Sequence, residues 1–163
     1  MPENDTEKTD LLAALDRHRG LLTFTALRLT DEQARLTPTA SELHIGGIIK
    51  HVTATEQGWV AFMTGGDVAA ASGDWWAGHH MGQDETLDGL LADYEECARQ
   101  TEAAVLACPD LDEARPLPEA PWFEPGATWT ARRVLLHILA ETAQHAGHAD
   151  IIRETIDGQK TMG

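Results

Sequence analysis

Residues 141–150 read ETAQHAGHAD, and the face this stretch presents decides the fold. With its flanks it sets Val134, Ile138, Glu141, His145, His148 and Ile152 at spacings of 4, 3, 4, 3 and 4. That is the rhythm of a helix packed along one seam. The outer positions are aliphatic, as a core requires, but the central three are a carboxylate and two imidazoles. Burying an unpaired charge costs several kcal/mol or more, so such groups are neutralised, paired or bound to a metal. The reading therefore turns on what faces Glu141, His145 and His148.

An earlier segment supplies the partner. HIGGIIKHVTATEQGWVAFM places His44, Ile48, His51, Thr55 and Trp59 on one helical stripe, with His51 at its centre. Glu141 and His145 are four residues apart, so their side chains stack on one face. A fourth-residue pair on one helix and a single imidazole from a facing helix make a three-ligand site with open coordination positions. Two imidazoles and a carboxylate suit zinc, with nickel and iron as alternatives. His148 is open between three roles: ligand in place of Glu141, acid–base group, or substrate contact. His137, one turn before Glu141, is placed to orient that carboxylate. His44 is expected to line the cavity, and His79 and His80 to be solvated in a loop. Neither the Glu-x-x-His pairs of di-iron bundles nor the His-Glu-x-x-His pattern of zincins occurs.

Around this centre the periodicity predicts four long helices, at about 6–29, 41–64, 85–107 and from Thr128 or Thr130 to Gly158. Ser41 is the expected N-cap of the second. DEQARL, before Pro38, reads as one extra turn. Residues 67–84, with Gly73, Gly78, Gly82 and the Trp75-Trp76 pair, read as a loop. The proline-rich stretch 109–128 reads as an irregular crossover, and no strand pattern competes. The fold class is all-α: a single domain, 1–163, forming a four-helix bundle with long crossover connections.

Composition narrows the partners. The net charge of −15 opposes binding to nucleic acid or to anionic membranes. No run approaches the ~18 apolar residues of a membrane span. The acidic opening MPENDTEKTD is unlike a signal peptide, so a cytoplasmic location is expected. Cys97 and Cys108 sit on one predicted helix roughly 16 Å apart, beyond the ~7 Å reach of a disulfide. They are expected to be reduced and non-catalytic. Arg outnumbers Lys nine to three among the 12 basic residues, which points to a GC-rich genome.

These residues together resemble the DinB/YfiT-like superfamily of metal-binding four-helix bundles, which includes mycothiol- and bacillithiol-dependent transferases. Its motif is one His in helix two, then His or Glu followed four residues later by His in helix four. Here it falls on His51, Glu141 and His145. The stretch HAGHADIIRETIDG, with ILAETAQ before it, resembles an uncharacterised actinobacterial subgroup. The resemblance spans nearly the whole chain. It implies a divalent metal that activates a low-molecular-weight thiol for attack on a small electrophile, in a monomer or homodimer. Mycothiol is the expected co-substrate, in line with the Arg-rich composition. His148 is then the candidate catalytic residue, and Trp59, Trp75 and Trp76 the candidate walls of the thiol pocket. A related isomerase carries a further C-terminal domain, and with the sequence ending at Gly163 that activity is not expected. A non-catalytic metal-binding stress-response protein and a metal-dependent hydrolase are the alternatives to a thiol S-transferase.

Overall fold

The computed structural model describes residues 3–66 and 75–162. Four long helices carry the fold: α1 (Glu3–Ala26), α3 (Ile45–Met63), α5 (Leu87–Ala107) and α6 (Ala131–Asp157). Single turns α2 (Asp31–Ala34) and α4 (Trp75–Gly78) lie in the connections. The predicted extra turn at DEQARL is α2, closed by a capping box between Thr30 and Gln33. Thr86 and Thr130 cap α5 and α6 through their hydroxyls, and Gly158 ends α6 at φ 81°, where a side chain would be strained.

Two features depart from the sequence reading. The N-cap of α3 is His44 rather than Ser41, and His44 makes no side-chain capping bond. The crossover before α6 holds a two-stranded antiparallel ladder, β1 (Ala114–Pro116) with β2 (Thr128–Thr130). Three-residue strands are too short to leave an alternating pattern.

Contacts along the helices fix their directions. Arg132 pairs with Glu7 near one end, and Arg153 donates to the carbonyls of Thr25 and Leu27 near the other, so α1 and α6 run parallel. His51 faces His145 and Trp59 faces His137, so α3 is antiparallel to α6. Cys97 lies against Thr53 and Thr101 against Glu56, so α5 runs parallel to α3. The chain therefore runs up, down, down, up. In a parallel α3–α5 pair the end of α3 and the start of α5 lie at opposite ends of the bundle, which is why their connection is long.

The core has two apolar clusters. One gathers Leu22, Ile45, Ile49, Leu90, Tyr94 and Ala149; the other gathers Leu15, Trp59, Phe62, Val105, Val134 and Ile138. Between them lies a polar layer. Arg19 and Glu56 form a buried ion pair, and Thr101 Oγ1 donates to the same carboxylate at 2.5 Å. The sequence reading missed this pair. Its signal was present, because Arg19 lies between Leu15 and Leu22, and Glu56 between Val52 and Trp59, on core-facing stripes.

Candidate metal centre

On α6 the buried positions are Ala131, Val134, Leu135, Ile138, Thr142, Ala146, Ala149, Ile152 and Arg153. The core stripe thus runs one residue beside the expected one, and small side chains let the neighbouring helices approach. Glu141, His145 and His148 flank it, half-buried. The same holds on α3, where Val52 and Glu56 are buried while His51 and Thr55 sit at the edge. The polar stripes therefore meet at the rim of the α3–α6 seam. The side chains of His51, Glu141 and His145 are 20, 30 and 14% exposed, so the centre is sheltered yet open to small molecules.

Its geometry is specific. Nε2 of His51 and Nε2 of His145 each lie 3.7 Å from the same atom, Oε2 of Glu141. One ligand atom from each of the three residues lies within 4.8 Å of the other two. Contacts of 3.7 Å are too long for hydrogen bonds. Tetrahedral ligands about 2.0–2.2 Å from zinc stand about 3.3–3.6 Å from each other, so a small contraction onto an ion would complete the site.

Electrostatics support the same fit. Burial, then the charges of His79 and His145, lower the pKa of His51 to about 4. Burial also lowers that of His145, with Glu141 opposing the shift. Both imidazoles are therefore neutral at pH 7 and present lone pairs. Among the described residues, these imidazoles are the only ion-pair partners of Glu141. A carboxylate with two neutral imidazoles is a donor set that the positive charge of a divalent cation completes.

A stability prediction follows from those shifts. A histidine whose folded pKa lies below its unfolded value takes up its proton preferentially in the unfolded chain. Metal-free protein should therefore lose stability as the pH falls from about 6.5 towards 4, by on the order of 3 kcal/mol from His51 alone. Urea unfolding of chelator-treated wild type and His51→Gln at pH 7 and pH 4.5 isolates this contribution. Equal losses in the two proteins would contradict it.

The other histidines fall into place around the triad. His148 Nδ1 lies 3.5 Å from His145 Nδ1, at the outer limit of a hydrogen bond. It sits on the ring nitrogen of His145 that does not face Glu141. His137 packs edge-on to Trp59 and Trp129, each 5.1 Å between ring centroids. His44 is buried, and its Nε2 accepts the Met81 N–H at 3.0 Å, so it does not line a cavity. The expectation of solvated loop histidines is also corrected. His79 stacks on His51 at 3.9 Å, and His80 packs edge-on to His44 at 4.9 Å. Loop conformation leaves no periodic signal, which is why the sequence reading missed both.

Trp59 is buried and stacks on Trp129 at 4.6 Å, two turns along the same seam from His51. The guanidinium of Arg133 covers the Trp129 ring at 4.4 Å. The side chains of Trp75 and Trp76 lie outside the described residues. Cys97 and Cys108 are both free thiols. Cys97 lines a groove of about 180 Å³ between α3 and α5 with Gln57, Gln100 and Thr101, away from the triad. Burial and the nearby Glu56 carboxylate push its thiol up to about 12, which suits a packing role.

The comparisons with known proteins agree with this architecture. A conserved protein from Enterococcus faecalis, of known crystal structure, has the same fold, with a TM-score of 0.73 at 13% identity. The match covers 93% of this chain and 97% of that one. No curated protein matches the sequence. The family described as MST, mycothiol-S-transferase, matches residues 10–158. On that match, and with the helical bundle that carries it, the chain belongs to the mycothiol-S-transferase family.

Proposed function

We propose that the protein is a metal-dependent thiol S-transferase that joins mycothiol to a small electrophile. The observation that carries the reading is the convergence of two neutral imidazoles on one carboxylate oxygen at a half-open rim. His51, Glu141 and His145 would hold the ion, with zinc the first choice from this donor set. Three protein ligands leave a coordination position for a substrate, as in catalytic rather than structural zinc sites.

A divalent ion bound there supplies the acidity a free thiol lacks, since a coordinated thiol is deprotonated outright while a free one has a pKa of ~8.5. The chain's own residues do the rest. The neutral imidazoles and the carboxylate fix the position at which sulfur is presented. His148 Nδ1 accepts the Nδ1–H of His145, which would keep the Nε2 lone pair of His145 towards the ion, and the thiol's proton passes to solvent at the open rim. The Trp59–Trp129 stack closes the far end of the seam with apolar surface and limits the approach of water. In the transfer a sulfur–carbon bond forms, and the leaving group departs with its electron pair. The net charge of −15 and the absence, among the described residues, of a helix long and apolar enough to cross a membrane suit a small-molecule enzyme. We assign it to the cytoplasm, as a monomer or homodimer.

Turnover of a chlorinated aromatic electrophile by metal-loaded protein, with and without mycothiol, tests the proposal. Turnover that requires both metal and thiol is expected. Equal turnover without thiol would point to a metal-dependent hydrolase, and none under either condition to a metal-binding protein without catalysis.

A further inference from the structure

The crossover from α3 to α5 docks its second half on the first turns of α3, and the contacts are specific. Met81 N–H donates to His44 Nε2 at 3.0 Å, and Lys50 Nζ donates to the His80 carbonyl at 3.2 Å. Arg35 Nη2 donates to the carbonyls of Gly82 at 3.0 Å and Glu85 at 2.5 Å. Lys50 also pairs with the Glu85 carboxylate at 2.9 Å.

This approach requires the Gly46-Gly47 pair. A Cβ at Gly46 would come within 2.4 Å of Met81 Sδ, and one at Gly47 within 2.1 Å of the His79 carbonyl oxygen. A methionine side chain can swing aside. A backbone carbonyl cannot, so any side chain at position 47 would lift the segment from the helix.

Docked in this way, the segment lays the His79 ring on His51, 3.9 Å between centroids and 24° from parallel. His51 is the one member of the triad supplied by α3. A metal-bound imidazole is ordinarily held by a hydrogen bond to its second nitrogen. His145 has His148 in that position. Among the described residues, His51 makes no such bond, and the His79 ring lies against its face instead.

We propose that His79 is a positioning residue of the metal centre, which orients His51 by ring stacking. Gly47 and the His44–Met81 bond serve it by seating the segment. The inference rests on His51, Glu141 and His145 holding a metal ion. It also gives a role to the HIGGIIKH stretch that the triad alone leaves unexplained.

The test is zinc affinity, read by competition of metal-free protein with a chromogenic chelator. His79→Ala should weaken binding about 10- to 100-fold, the usual effect of removing an orienting partner. His79→Phe keeps a flat ring and should restore most of the affinity. A merely structural role would not separate these two variants, and their metal-free melting curves should coincide. Gly47→Ala should bind as weakly as His79→Ala. Wild-type affinity in His79→Ala, or equal weakness in His79→Phe, would overturn the proposal. Absence of zinc uptake by the wild type would instead overturn the metal centre, and this inference with it.

Discussion

Replacing His51 or His145 with alanine should leave protein that retains almost no metal when purified. Each imidazole would be one of three donors in the proposed centre, and Nε2 of each lies 3.7 Å from the same Glu141 oxygen. Deleting one leaves two ligands from side chains that are 14 to 30% exposed. Water can then replace the lost donor but not hold the ion. The affinity loss should exceed the ~10- to 100-fold typical of orienting residues. Glu141→Gln should also weaken binding, because a neutral amide is a poorer ligand and removes the centre's negative charge. None of the three changes touches the apolar clusters, so the helical content should be unchanged. Elemental analysis beside far-ultraviolet circular dichroism checks both halves of the statement. Full metal content in either alanine variant removes that residue from the centre.

Glu56→Ala should be the most destabilising single change in the interior. The Glu56 side chain is fully buried and the Arg19 side chain 7% exposed, and Thr101 donates to the same carboxylate. Truncation leaves a guanidinium facing the core with Asp16 as its one remaining ion-pair partner among the described residues, and Asp16 is itself 69% exposed. Breaking a buried pair in this way costs about 3–5 kcal/mol, a large share of the stability of a typical domain. Replacing both members with apolar residues of similar volume should cost far less, since no charge is then stranded. Urea unfolding of Glu56→Ala and of the Arg19→Met, Glu56→Leu double variant gives the comparison. A double variant as unstable as the single one would show that shape, not charge, sets the cost.

The bundle was legible because its helices carry long apolar stripes with capping and breaking residues at their ends. Thr86, Thr130 and Gly158 stand at helix ends, as those residue types usually do. The triad was legible as a spacing, but its depth was not. Two adjacent stripes on α6 share Val134, Ile138 and Ile152, and the spacing rule does not choose between them. The small residues Thr142, Ala146 and Ala149 won the core because they let the helices close up, which moved Glu141, His145 and His148 to the rim. That shift matters for the proposed function, since a fully buried centre would admit no substrate. What the sequence could not show lies in the crossovers. The stacking of His79 on His51 depends on a docking geometry that Gly46 and Gly47 permit but do not spell out.

Thiol binding to cobalt-substituted protein tests the central claim most directly. Cobalt(II) in the His51–Glu141–His145 centre should give a visible spectrum that changes when mycothiol is added. An intense sulfur-to-cobalt charge-transfer band should appear, with one proton released per thiol bound below its solution pKa. A closed structural site has no position free for sulfur. Cobalt-loaded protein whose spectrum is unchanged by saturating thiol, with no proton released, would contradict the account.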